Sequence, residues 1–130
     1  MNSYLNDRKA IDRLKQEYLQ HKKLIIGFDF DNTIYDYHKE HLELEPVINL
    51  LRKCSKLKFI MCLHTIDNNI RFKRTHTRFL GINVDYVNTS PVILGAGKPY
   101  FNILLDDRAG LSASYNILST ALKELNIYEN

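Results

Sequence analysis

The sequence predicts an α/β fold, a three-layer α/β/α sandwich of helices around a mainly parallel sheet, on three observations. Short, continuous apolar runs recur along the chain, segments with helical spacing separate them, and most of the runs end in polar residues. Unbroken apolar runs of this length suit strands buried on both faces, as in parallel sheets. Alternation of such strands with helices permits crossover connections between parallel neighbours.

The elements follow in chain order. Ile11, Leu14 and Tyr18 share one helical face among many charges, which predicts a helix over residues 3–21, ahead of the first strand. Leu24 to Phe28 is the first strand and stops just before Asp29. Residues 32–44 are polar and aromatic and read as a loop or small hairpin. Glu45-Pro46 opens a helix, because proline suits a first turn, and Val47, Leu50, Leu51 and Cys54 form its apolar face. Leu57 to Leu63 is the second strand, followed by His64 and Thr65. Residues 67–80 form a helix with a basic side (Arg71, Lys73, Arg74, Arg78), stopped by Gly81. Val84 to Val87 is a short third strand, and a loop with Pro91, Gly95, Gly97 and Pro99 leads to the fourth, Phe101 to Leu105. That strand ends at Asp106-Asp107. The last helix runs from Leu111 to Leu125.

A chain of 130 residues, with no linker or repeat, holds one domain, 1–130. At 45% hydrophobic and 25% charged it is an ordinary globular composition, and a net charge of +3 is too weak to claim a nucleic-acid partner. Cys54 and Cys62 sit in apolar surroundings without metal-ligand spacing, and are expected as free buried thiols in a reducing compartment. The N-terminus does not resemble a signal sequence and no apolar run is long enough to span a bilayer, so a cytoplasmic protein without membrane attachment is the expectation.

The chemistry is read from where the polar residues collect. In open α/β sheets, ligands bind outside the carboxyl ends of the strands. Asp29, Thr65 and the pair Asp106-Asp107 all follow strands, and Lys98 lies in the loop before the fourth. Asp29, Asp31, Asp106 and Asp107 together would repel one another unless a cation sat among them. Magnesium, a hard cation that takes one or two carboxylates plus phosphate and water oxygens, answers that need. Asp29 is then placed to act as a nucleophile, and Asp31, two residues on, as general acid and base.

At this point the chain resembles the haloacid dehalogenase superfamily. Phe28-Asp29-Phe30-Asp31-Asn32-Thr33 looks like its first motif, Thr65 its second, Lys98 its third, and Leu104-Leu105-Asp106-Asp107-Arg108 its acidic fourth, in family order. The resemblance implies a Rossmann-like sheet and a magnesium-dependent phosphatase, a hydrolase working through an aspartyl-phosphate on Asp29. Asp31 would be the acid/base, with its backbone carbonyl on the metal; Thr65 and Lys98 would hold the phosphate; Asp106 or Asp107 would complete the metal site. The second aspartate of the first motif, Asp31, favours phosphate chemistry over carbon–halogen cleavage. The stretches from Asp31 to Cys62 and from Thr65 to Lys98 are too short for an inserted cap domain, so the resemblance is to a capless member. Tyr35, Tyr37 and His38 would form a small flap, with Tyr35, His64 and Arg108 as substrate contacts. Such an open site would admit a nucleotide, a nucleic-acid end or a phosphoprotein.

Other readings fit less well. Asp29, Asp31, Thr33 and Glu40 fall at calcium-loop positions of an EF-hand, but Ile34 stands where the turn needs glycine. A receiver-type domain would carry its acidic pair at the first strand, whereas here Asp-Asp comes last. A binding or regulatory module that keeps the fold without turnover would have no need of an acid/base at Asp31. The basic side of helix 67–80 reads as a solvated face; beside an open site it would instead steer a polyanionic substrate.

Overall fold

The computed structural model describes residues 5–66 and 68–127. Its main sheet has four strands, β1 (Ile25–Phe28), β2 (Ile60–Leu63), β3 (Tyr86–Val87) and β6 (Ile103–Leu105), in the order β3-β2-β1-β6 and all parallel. Between β3 and β6 the chain forms a small antiparallel hairpin, β4 (Ile93–Leu94) and β5 (Lys98–Pro99), joined by a 3₁₀ turn at Gly95–Gly97. Four helices flank the sheet: α1 (Asp7–His21), α2 (Glu45–Lys56), α3 (Ile70–Phe79) and α4 (Leu111–Leu125). This is an α/β fold with a parallel sheet, consistent with a Rossmann-like arrangement.

The two faces of the sheet differ. In-register neighbours point to the same side, so Ile26, Phe28, Met61, Leu63, Ile103 and Leu105 share one face. All six are buried in one cluster with Ile11 and Leu14 of α1, Leu50, Leu51 and Cys54 of α2, and Leu118 and Leu122 of α4. On the other face Ile25, Ile60 and Leu104 are only half-buried. There the ring of Phe101 lies against Gly27, where an added Cβ would stand 2.7 Å from a ring carbon. The connection from β3 to β6, expected as a loop, forms the hairpin and contributes no α-helix. Among the described residues no helix is long and apolar enough to cross a membrane.

Several element boundaries moved, each for a local reason. The expected first helix begins at Asp7, where the Asn6 side chain accepts from Arg8 N–H and caps it; residues 1–4 lie outside the described residues. β2 starts at Ile60, not Leu57, because Leu57 closes α2 and Lys58 turns the chain with φ +64°. α3 starts at Ile70, and Asp67, where the helix was expected to begin, lies outside the described residues. No hairpin forms over 32–44. That loop is organised by the Asp36 carboxylate, which accepts from Glu40 N–H (2.9 Å) and Leu42 N–H (3.2 Å), bonds that hold it below the usual carboxylate range. Pro46 stands in the first turn of α2 as expected, and α4 runs over the expected residues. Cys54 and Cys62 are free and buried, and burial pushes both thiols up to about 12.

α1 packs along α4. Arg8 donates to Glu124 (2.7 Å) and to Asp12 (2.6 Å), and Lys15 reaches Glu124 at 3.0 Å. Farther along α1, Arg13 pairs with Glu17 (2.9 Å), which accepts from Asn102 Nδ2 (2.9 Å). Asn102 Oδ1 accepts from Ile25 N–H (2.6 Å), so the helix is tied to the entrances of β1 and β6.

Candidate active site

The strand order creates the site. From β1 the chain proceeds to β2 and β3 on one side and returns to β6 on the other, so the switch point lies between β1 and β6. Residues just past the strand ends are pinned to the ladder. Asp29 N–H donates to Leu105 O (2.9 Å), His64 N–H to Phe28 O (2.8 Å) and Asn88 N–H to Leu63 O (2.8 Å). A cleft of about 730 Å³ opens at this edge. Asp29, Asp31, Tyr35, His64, Thr65, Asp106, Asp107 and Arg108 all line it, as do Tyr37 and His38 of the flap.

The first turn is tight. Phe30 O accepts from the backbone N–H groups of Thr33 (3.3 Å), Ile34 (3.1 Å) and Tyr35 (3.1 Å), and Asn32 takes φ +60°. Thr33 is fully buried, and its Oγ1 accepts from Asp107 N–H (3.2 Å), joining the β1 loop to the β6 loop. Asp106 Oδ1 accepts from Arg108 N–H (2.9 Å), which folds the acidic turn back on itself.

Carboxylate oxygens of Asp29, Asp106 and Asp107 lie within 4.8 Å of one another. Asp29 is pushed up to about 7, first by burial, then by its hydrogen bond with Asp107 and by the charge of Asp106. Such crowding fits a hard divalent cation with oxygen ligands better than it fits three free acids. The cleft also holds Asn32 Oδ1, a buried acceptor without a partner among the described residues. The Asp31 side chain is not in the trio. It lies 3.8 Å from Lys73 Nζ across the cleft.

The lysine that lines the cleft is not the expected one. Lys98 was expected to hold phosphate, but it pairs with Leu94 in the β4–β5 hairpin, is exposed, and does not line the cleft. The lysine in the cleft is Lys73, read from the sequence as part of a solvated basic face and in fact only 6% exposed. Its ammonium donates to Thr65 Oγ1 (3.0 Å) and Asn68 Oδ1 (3.0 Å). A signal was available: Lys73 and Thr77, four residues apart, share the buried face of α3, where aliphatic residues would be expected. Asn88 braces the site from outside by accepting from Thr65 N–H (2.7 Å).

Rings complete the wall. Phe30 stacks on Tyr35 (5.0 Å between centroids) and meets Phe72 edge-on (6.1 Å). His64 is exposed, with its ring edge-on to Phe101 at 6.0 Å. No family model, curated protein or solved structure compared with the chain matches it.

Proposed function

We propose that the chain is a magnesium-dependent phosphatase that hydrolyses phosphomonoesters through an aspartyl-phosphate on Asp29. One observation carries the reading: opposite charges line a single cleft. Three carboxylates crowd within 4.8 Å at the β1/β6 switch point, and a buried ammonium, Lys73, stands against Thr65 and Asp31. Asp29, Asp106 and Asp107 would hold the ion, which when bound neutralises their charge and draws charge from the phosphoryl oxygens.

The side chains divide the remaining work. Lys73 pairs with a phosphoryl oxygen and Thr65 hydrogen-bonds another, orienting the ester for attack. Asp29 attacks phosphorus while Asp31 gives its proton to the departing alkoxide. Asp31 then takes a proton from water as that water attacks the aspartyl-phosphate, releasing phosphate and restoring Asp29. This keeps the resemblance to capless haloacid dehalogenase phosphatases, with Lys73 in the phosphate-binding role first given to Lys98.

The test is hydrolysis of p-nitrophenyl phosphate with magnesium and with excess chelator. Turnover is expected only with the metal, and Asp29→Asn is expected to fall to the uncatalysed background with an unchanged circular dichroism spectrum. Metal-independent turnover, or an Asp29→Asn variant as active as the parent, would overturn the reading.

A further inference from the structure

We propose that the outer face of α3 is a track for single-stranded nucleic acid, leading a phosphorylated strand end into the cleft. The proposal rests on the phosphatase reading of that cleft and names its substrate class.

Helix α3 carries three distinct stripes. Lys73 and Thr77 are buried. Phe72, His76 and Phe79, spaced four and three residues apart, form a column of rings. Phe72 and His76 stack at 5.7 Å with 28° between their planes, and His76 and Phe79 follow at 6.4 Å and 33°. Phe72 is 49% exposed and Phe79 is 85% exposed. Arg71, Arg74 and Arg78, spaced three and four apart, are all exposed, and the helix contains no acidic residue.

The column has a direction. Phe72 lines the cleft next to Lys73, whereas Phe79 does not line it. Seven residues of helix cover about 10 Å, the length of about three stacked bases. A mononucleotide seated in the cleft would leave Phe79 unused, but a strand would meet ring after ring. Aromatic rings interleaved with cations are the usual means of holding single strands without reading sequence, because every base offers a π-face. Arg71 and Arg78 stand on the adjoining flank of the helix, about 100° round from Phe72 and Phe79, on the side where the phosphates of a strand lying on those rings would pass. The same charges argue against a second copy of this chain as the occupant, since two such faces would bring their arginines together. The cleft at the end of the column selects a terminal phosphate over an internal diester.

The test compares phosphate release from 3′- and 5′-phosphorylated oligothymidylate with release from the matching mononucleotides, with p-nitrophenyl phosphate as reference. The variants are Phe79→Ala and the double variant Arg71→Glu/Arg78→Glu, at residues that do not line the cleft. At one or both ends the oligonucleotide is expected to exceed its mononucleotide in kcat/KM by about tenfold, in the range of one base stacked on a ring. Both variants should lose that advantage and leave p-nitrophenyl phosphate turnover unchanged. Equal kcat/KM for oligonucleotide and mononucleotide, or variants that keep the advantage, overturns the track. Failure of the phosphatase reading has a different signature: no phosphate ester is turned over. Binding of fluorescent oligothymidylate then decides the track alone. It is upheld if binding weakens with salt and in both variants, and overturned if it does not.

Discussion

Carboxylates at the two ends of this molecule are treated in opposite ways. Along the α1–α4 seam, Glu124 lies between Arg8 and Lys15, and their hydrogen bonds hold it at about 2. At the outgoing edge of the sheet, Asp29 is pushed up to about 7 by burial and by its acidic neighbours Asp107 and Asp106. The seam sets Glu124 between two cations, which serves cohesion. The cleft gathers three acids and places its lysine beside Asp31 and Thr65, outside the trio. Acids crowded in this way cost folding energy unless a ligand offsets their repulsion, which is the physical ground for the proposed metal site.

The contrast is sharpest at Lys73. Lys73→Met keeps the length of the side chain and removes the ammonium that stands beside Asp31 and Thr65, and it is expected to lower phosphatase turnover by about 10²–10³-fold. Lys98→Met, in the exposed hairpin, is expected to leave turnover as it was. Rates of p-nitrophenyl phosphate hydrolysis on the two purified variants decide between the lysines, and equal losses would return Lys98 to the site.

Packing near the site is tested at Gly27. Its hydrogen faces the Phe101 ring at a distance no methyl group can occupy without a shift. Gly27→Ala is expected to cost about 1–3 kcal/mol, read from urea unfolding.

The acidic trio predicts a pH dependence. A carboxyl raised to about 7 binds more protons folded than unfolded between about pH 4 and pH 7, so its ionisation lowers stability as pH rises through that window. Thermal unfolding without divalent ions is therefore expected to show a larger loss of Tm from pH 5 to pH 8 in the parent than in Asp29→Asn. Added magnesium should raise the parent's Tm more at pH 8, where Asp29 is ionised, than at pH 5. An equal shift at both pH values would place the ion elsewhere.

The smallest effect belongs to the seam. Glu124 is depressed, so its contribution is present above its ordinary pKa and is lost as pH falls through about 2. Because these ion pairs are exposed, Glu124→Gln is expected to lower Tm at pH 7 by less than Gly27→Ala does, and by less again in high salt.

Much of this was legible in the chain. The run ending at Asp29 is a strand, Pro46 stands in the first turn of α2, and α4 spans the residues its periodicity marked. Placing acids after strands also brought Asp29, Asp106 and Asp107 to one edge before any coordinates did. The second strand was read too long because Leu57 and Lys58 are spent on leaving α2, a turn that apolar runs do not announce. Lys73 was read as solvated because a charged residue on a helix reads so until the helix's rotation is known.

By itself, then, the sequence determined the elements and the residues that end them, since apolar spacing and turn chemistry act over a few neighbours. Only the tertiary structure decided that β6 lies beside β1, that Thr33 clasps the loop of Asp107, and that α3 turns Lys73 inward and Phe72 toward the cleft. Those outcomes depend on strand order and helix rotation, which are settled by contacts between residues far apart in the chain.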